Sequence, residues 1–159
     1  MRPHQVFARM TPELAARVMA VLMEKSPATY TQALAAASSA MNARPKFLMR
    51  QPVEKRADML RRTLARVRAD PLAEEVLAAY FLEGRKELLT EWLDSVGLEH
   101  DEGILKGENP RPPEKEQLEE AVKRFLEGDD VEERELLLRA FAAQSAVDWP
   151  DLTATFGES

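Results

Sequence analysis

The sequence predicts an all-α protein, and three observations lead to this prediction. Alanine and leucine supply 43 of the 159 residues, whereas valine, isoleucine and threonine together supply 18. That bias favours helices, because β-branched side chains lose more rotamer entropy in them. Prolines repeatedly follow residues that can cap a helix, and apolar residues recur at helical spacing. We expect no sheet and a single antiparallel bundle of about six or seven helices. The alternative is a short α-solenoid-like array of helical hairpins.

Proline positions predict the helices of the first half of the chain. Helices are expected over 12 to 25, 27 to 42 and 52 to 69, each beginning at or next to a proline. The linker 44 to 51 is expected to hold a short turn around Phe47 and Leu48. In the helix over 52 to 69, one apolar stripe is formed by Val53, Ala57, Leu60, Leu64 and Val67.

The second half has clearer amphipathic patterns. A helix is expected from Pro71 to a bend or end at Gly84, and another is closed by Gly97. After a long loop over 98 to 113, helices are expected over 113 to 127 and 131 to 146. The last segment carries three apolar side chains that we expect to dock on the body or on a second subunit: Trp149, Leu152 and Phe156.

The tetrapeptide Phe-Leu-Glu-Gly occurs twice, over 81 to 84 and 125 to 128, each time at the end of a predicted helix. Two interpretations remain open. The pattern is either a duplicated helical hairpin or two ordinary helix ends built alike.

Charge divides the chain. The net charge of −6 combines a basic half, with 13 basic and 4 acidic residues over 1 to 69, and an acidic half, with 9 basic and 24 acidic residues over 70 to 159. All seven methionines lie within the first 59 residues. We expect Met19, Met23 and Met59 to fill the core, and Met10 and Met49 are candidates for an interface. We predict one domain over 1 to 159 composed of these two halves.

Composition argues against most enzyme classes. The chain has no cysteine, and its two histidines are His4 and His100. It therefore lacks thiolate chemistry and the ligands of multi-histidine metal sites. Since it also lacks a phosphate-binding glycine loop, we assign no catalytic residue and no cofactor. The N-terminal residues do not resemble a signal peptide, and we predict a cytoplasmic protein without a membrane partner.

The loop over 98 to 113 offers weak candidates for a metal site. His100, Asp101 and Glu102 have suitable ligand atoms, but their spacing does not match a calcium loop. A metal-dependent enzyme centred on 98 to 103 is therefore the least favoured function. We expect His100 to cap or pack, and the acidic side chains to be solvated.

The basic stretch is the strongest local signal. Candidates for binding an anion or a partner are Lys55, Arg61, Arg62, Arg66 and Arg68. These side chains either bind phosphates, pair with a charged protein, or meet glutamates of neighbouring helices. We predict a non-enzymatic protein–protein interaction or self-associating module, a homodimer. The alternative is a small regulatory nucleic-acid-associated protein that uses the helix over 52 to 69.

Overall fold

A computed structural model describes residues 1 to 156 and confirms the all-α class. These residues form ten α-helices and one small antiparallel hairpin. The chain divides into two compact units, an N-terminal unit over Arg2–Gly84 and a C-terminal unit that begins at Arg85. The division does not coincide with the charge boundary at Asp70. The single domain and the bundle arrangement stay predictions.

The N-terminal unit holds six α-helices and two short helical turns. Thr11 and Ser26 precede the prolines that begin two of the helices, and Thr11 Oγ1 accepts a hydrogen bond from the Leu14 amide at 3.1 Å. The elements are α1 (Pro3–Ala8), α2 (Pro12–Lys25), α3 (Pro27–Ala40), α4 (Pro45–Met49), α5 (Val53–Leu64), a 3₁₀ turn (Val67–Ala69), α6 (Asp70–Ala79) and a π-helical turn (Tyr80–Gly84).

Helix α5 lies at the centre of this unit and packs against α1, α2 and α3. Its buried stripe is shorter than predicted, because the helix ends at Leu64. Leu60 and Leu64 are fully buried, whereas Val53 and Val67 are more than half exposed. The predicted helix over 52 to 69 is therefore wrong beyond Leu64. The predicted turn at Phe47 and Leu48 is confirmed as α4.

The C-terminal unit contains α7 (Lys86–Ser95), α8 (Lys115–Leu126), α9 (Val131–Ala143) and α10 (Pro150–Phe156). The expectation of no sheet is wrong, since β1 (His100–Asp101) pairs with β2 (Ile104–Leu105) inside the long loop. Glu102 and Gly103 connect the strands with φ of 50° and 95°. Two positive φ values at the centre of a two-residue turn are typical of a type I′ hairpin.

Aromatic side chains build the core of the C-terminal unit. Trp92 contacts Phe125 and Phe141 at centroid distances of 5.5 and 5.9 Å, and Phe141 contacts Trp149 at 5.0 Å. Trp149 also donates a 2.8 Å hydrogen bond from Nε1 to the Pro110 carbonyl. The predicted docking of the last segment is confirmed for Trp149 and Leu152, which are buried. The side chain of Phe156 lies outside the described residues.

The repeated tetrapeptide has two different structures. The first copy is the π-helical turn that ends the N-terminal unit, and the second ends α8 and precedes α9. A Cβ atom at Gly84 would overlap Val21, whereas one at Gly128 would overlap the Arg134 guanidinium. The two glycines thus permit unrelated close contacts, which favours ordinary helix ends over a duplicated hairpin.

Candidate interaction surface

The five cationic residues singled out in the sequence occupy different settings. Lys55, Arg62, Arg66 and Arg68 are exposed, and Arg61 is half-buried. The side chains of Arg61 and Arg62 both pair with Asp58, at 2.8 and 3.0 Å. These two arginines are therefore paired within their own helix, and not with glutamates of neighbouring helices.

The other three cations have no ion-pair partner within residues 1 to 156: Lys55, Arg66 and Arg68. They do not share one helical face, because α5 ends at Leu64 and the chain at Arg66 is extended, with ψ of 144°. The predicted helix over 52 to 69 therefore does not carry all three of them, since Arg66 and Arg68 follow the end of α5. Lys55 lies in the first turn of α5, away from Arg66 and Arg68 near its other end.

Arg56 is a buried cation that the sequence analysis did not single out. Its residue is 5% exposed, and its Nη1 donates to the Met49 carbonyl at 2.9 Å while Nη2 lies 4.0 Å from Met23 Sδ. Its Nε has no hydrogen-bond partner within the described residues. Met49 ends α4 and Met23 lies in the last turn of α2. The carbonyl oxygen of Met49, at the end of α4, therefore partly compensates the buried charge.

Arg56 fixes a short exposed helix. Leu48 of α4 is fully buried and anchors it to the unit, while Phe47 and Met49 on either side are 47% and 49% exposed. Val53, at the start of α5, is 52% exposed, and Met23 is 39% exposed. Two expectations about methionine are wrong, since Met23 does not fill the core and Met10 is buried away from any free surface.

Cationic residues are interspersed with these apolar residues along the sequence. Arg44 and Arg50 cap the two ends of α4, Lys46 lies within it, and Lys55 follows on α5. All four are exposed, and none has an ion-pair partner among the residues that the structure describes. We call this the α4 surface and define it by Met23, Arg44, Lys46, Phe47, Met49, Arg50, Val53 and Lys55.

The acidic residues nearest to the α4 surface in sequence are Glu24 and Glu54, which are both exposed. Between Arg44 and Arg56 there are five cations and one acid. The segment from Arg44 to Arg50, Arg-Pro-Lys-Phe-Leu-Met-Arg, was the available signal. Its three cations flank Pro45 and the apolar run from Phe47 to Met49, in which Leu48 is buried and its two neighbours are exposed.

The side chain of His100 forms hydrogen bonds within the C-terminal unit. The Nδ1 of His100 accepts a hydrogen bond from the Gly103 amide at 3.0 Å, and its Nε2 lies 2.7 Å from an Asp94 oxygen. Both ring nitrogens are thus engaged within the unit. Glu102 lies 3.7 Å from Lys86, and Asp101 is exposed. Among the described residues, no three candidate ligands are grouped in a way that could hold a metal ion.

Two arginines connect the helices of the C-terminal unit. Arg134 of α9 pairs with Glu91 of α7, donates to the Phe125 carbonyl at 3.1 Å and lies 4.8 Å from the Phe125 ring centroid. Arg85 pairs with the buried Glu133 at 2.8 Å. Burial acts to lower the pKa of Arg85, but Glu87 and Glu133 outweigh it and the pKa is raised. These cations are internal and offer no free charge to a partner.

Comparisons with protein-family models, with curated proteins and with solved structures returned no match. In the part of the chain that the structure describes, none of the helices has the length and apolarity needed to span a bilayer.

Proposed function

We propose that this protein is a non-enzymatic protein–protein interaction module that binds acidic partners through the α4 surface. One observation carries the proposal. Between residues 44 and 55, four exposed cations without ion-pair partners among the described residues are interspersed with three partly exposed apolar side chains, and Met23, also partly exposed, lies 4.0 Å from Arg56. The buried Leu48 and the hydrogen bond from Arg56 to the Met49 carbonyl attach this segment to the unit. Interfaces combine apolar contacts with charge complementarity, which directs encounter and register.

Self-association is the first form of this function that we propose. Residues 85 to 159 hold 9 basic and 20 acidic residues, whereas residues 1 to 84 hold 13 basic and 8 acidic residues. A second copy therefore supplies a strongly acidic C-terminal unit as a partner for a basic N-terminal unit. Its exposed apolar residue Val131 lies between Asp130 and Glu132 in the sequence, and the exposed Ile104 follows Glu102 and Gly103. We infer a homodimer in which opposite charges select the orientation.

Sedimentation velocity tests the homodimer. We expect a dimer at about 50 mM salt and a weaker dimer at about 500 mM, because screening shortens the range of charge interactions. The variant Lys46→Glu/Arg50→Glu should be monomeric at both concentrations of salt. Its matched control is Arg66→Glu/Arg68→Glu, which reverses two exposed cations of the same unit and should remain dimeric. A wild-type protein that is monomeric in both buffers would rule out self-association.

The alternative function is that of a small regulatory nucleic-acid-associated protein, and the unpaired charges of Lys55 and Arg66 favour it. Binding to phosphates would weaken steeply as salt rises. Replacing Lys55, Arg62 and Arg66 by glutamate should then abolish retention on heparin and lower the 260/280 nm absorbance ratio of protein purified at low salt. Retention equal to that of the wild type would reject this alternative.

A further inference from the structure

The α4 surface points to one class of partner, and we infer that it binds an acidic amphipathic helix of a protein. This inference rests on the proposed function and names the chemistry of the partner. The cations Arg44, Lys46, Arg50 and Lys55 call for carboxylates, and the apolar side chains between them call for an apolar stripe on the same ligand. A helix with leucines on one face and glutamates beside them meets both requirements.

The secondary structure of the N-terminal unit selects a helix over an extended peptide. Within Arg2–Gly84 the described elements are all helical, so the unit offers no strand edge to which an extended peptide could add. A peptide helix, in contrast, satisfies its own backbone hydrogen bonds and needs only side-chain contacts. The short helix α4 presents such contacts on both sides of its buried anchor, Leu48.

The apolar residues themselves favour a protein partner. Met23 and Met49 flank the Arg56 guanidinium, and their thioethers are flexible and polarizable, which suits surfaces that adapt to a helix. Nucleic acid would need aromatic stacking, but Phe47 is the one aromatic residue of the α4 surface. A membrane would need side chains that protrude into the lipid, whereas about half of Phe47 and Met49 is already covered by the protein.

The test uses the full chain and two designed peptides of about 15 residues, a length at which helices become stable. One peptide places leucine at helical spacing with glutamate elsewhere, and the other has the same composition in scrambled order. Fluorescence anisotropy of the labelled peptides measures binding. We expect the amphipathic peptide to bind with a Kd on the order of tens of micromolar. The scrambled peptide should bind at least about tenfold more weakly.

Variants locate the binding. Both Lys46→Glu/Arg50→Glu and Phe47→Ser/Met49→Ser should weaken binding at least about tenfold, because the first removes the charge and the second the apolar contact. Arg66→Glu/Arg68→Glu should bind as the wild type does. Circular dichroism of each variant checks that the helices persist. If a variant of α4 loses its fold, the single substitution Lys46→Gln, expected to weaken binding measurably, replaces it.

Several results would overturn the inference. The inference would be wrong if the amphipathic peptide did not bind, or if the scrambled peptide bound equally well. It would also be wrong if Arg66→Glu/Arg68→Glu weakened binding as much as the variants of α4 do. Preferential, α4-dependent binding to vesicles with anionic lipid, or to a short DNA duplex, would also overturn it. A protein that forms the homodimer but ignores the peptide would refute this inference and leave the proposed function standing, so the two failures are distinguishable.

Discussion

Asp70, the first residue of α6, is hydrogen-bonded to Arg2 and His4 at the beginning of the N-terminal unit. Its carboxylate accepts hydrogen bonds from Arg2 Nε at 2.7 Å and from the His4 amide at 2.9 Å, and it lies 2.6 Å from His4 Nδ1. Burial would raise the pKa of Asp70, but the hydrogen bonds from His4 and Arg2 outweigh it and hold the pKa below its usual 3.8. The charged form of Asp70 is therefore favoured by folding.

Asp70→Asn should destabilise the protein by about 1 to 3 kcal/mol at pH 7, the usual range for a lost hydrogen bond to a charged group. A depressed pKa contributes stability above the unfolded-state value, and this is lost as pH falls through the folded-state pKa. The difference from the wild type should shrink below about pH 4. Urea unfolding at several pH values measures it. Glu75→Gln, an exposed acid on the same helix, is the control and should change little at any pH.

Gly84 lies so close to Val21 that a side chain at this position has no room. Since a Cβ atom there would overlap Val21 Cγ1, Gly84→Ala should lower stability by about 1 to 3 kcal/mol through overpacking. Adding Val21→Ala removes the overlapping methyl groups. The double variant should therefore be more stable than the sum of the single effects predicts, as a double-mutant cycle of thermal unfolding would reveal. Strict additivity would show that the overlap is relieved elsewhere.

At the scale of elements, local patterns predict where helices begin but not where α5 ends. Prolines mark α2, α3 and α4, and the apolar spacing locates the core positions Leu60 and Leu64. No glycine or proline marks the break after Leu64. The break instead precedes Asp70, whose partners Arg2 and His4 are more than 60 residues away in sequence. A contact of that range leaves no periodic signal, and the helix over 52 to 69 was predicted too long.

The candidate surface was missed for a related reason. A methionine near an apolar helical stripe is predicted to lie in the core. Whether Met23 and Phe47 are exposed depends instead on which neighbouring side chain is buried and attaches the segment to the rest of the unit. The hairpin was missed because two residues per strand are too few for an alternating pattern. Its turn residue Gly103 was the one local indication.

Gly103 gives the prediction at this scale. With φ of 95°, it occupies a conformation that alanine adopts only with strain, and its amide donates to His100 Nδ1. Gly103→Ala should open the hairpin locally, at a cost of about 1 to 2 kcal/mol. Hydrogen exchange of the Lys106 amide, bonded to the Glu99 carbonyl at 3.1 Å, should then accelerate. Gly97→Ala, also at positive φ, should leave that amide unchanged.

For the whole molecule, net charge is a poor guide to its surface. The sum of −6 conceals an N-terminal unit in which Lys46, Arg50 and Lys55 have no ion-pair partner among the described residues, and a C-terminal unit in which Arg85 and Arg134 form internal ion pairs. The difference in charge between the two halves of the chain was predicted, because it follows from counting acidic and basic residues. Which charges form ion pairs could not be predicted by counting residues. Asp58 pairs with two arginines of its own helix, whereas Lys55 has no ion-pair partner in the described structure.

The thioethers of the α4 surface make this surface sensitive to oxidation. Methionine sulfoxide is polar and disrupts apolar contacts, and the chain has no cysteine to react with peroxide first. Met23 and Met49 are open to solvent, whereas Met10 and Met19 are buried. Mild peroxide should therefore abolish binding of the amphipathic peptide while circular dichroism stays unchanged, and methionine sulfoxide reductase should restore it. Replacing Met23 and Met49 by leucine should make binding of the peptide resistant to peroxide, which would show that oxidation acts through these two sulfur atoms.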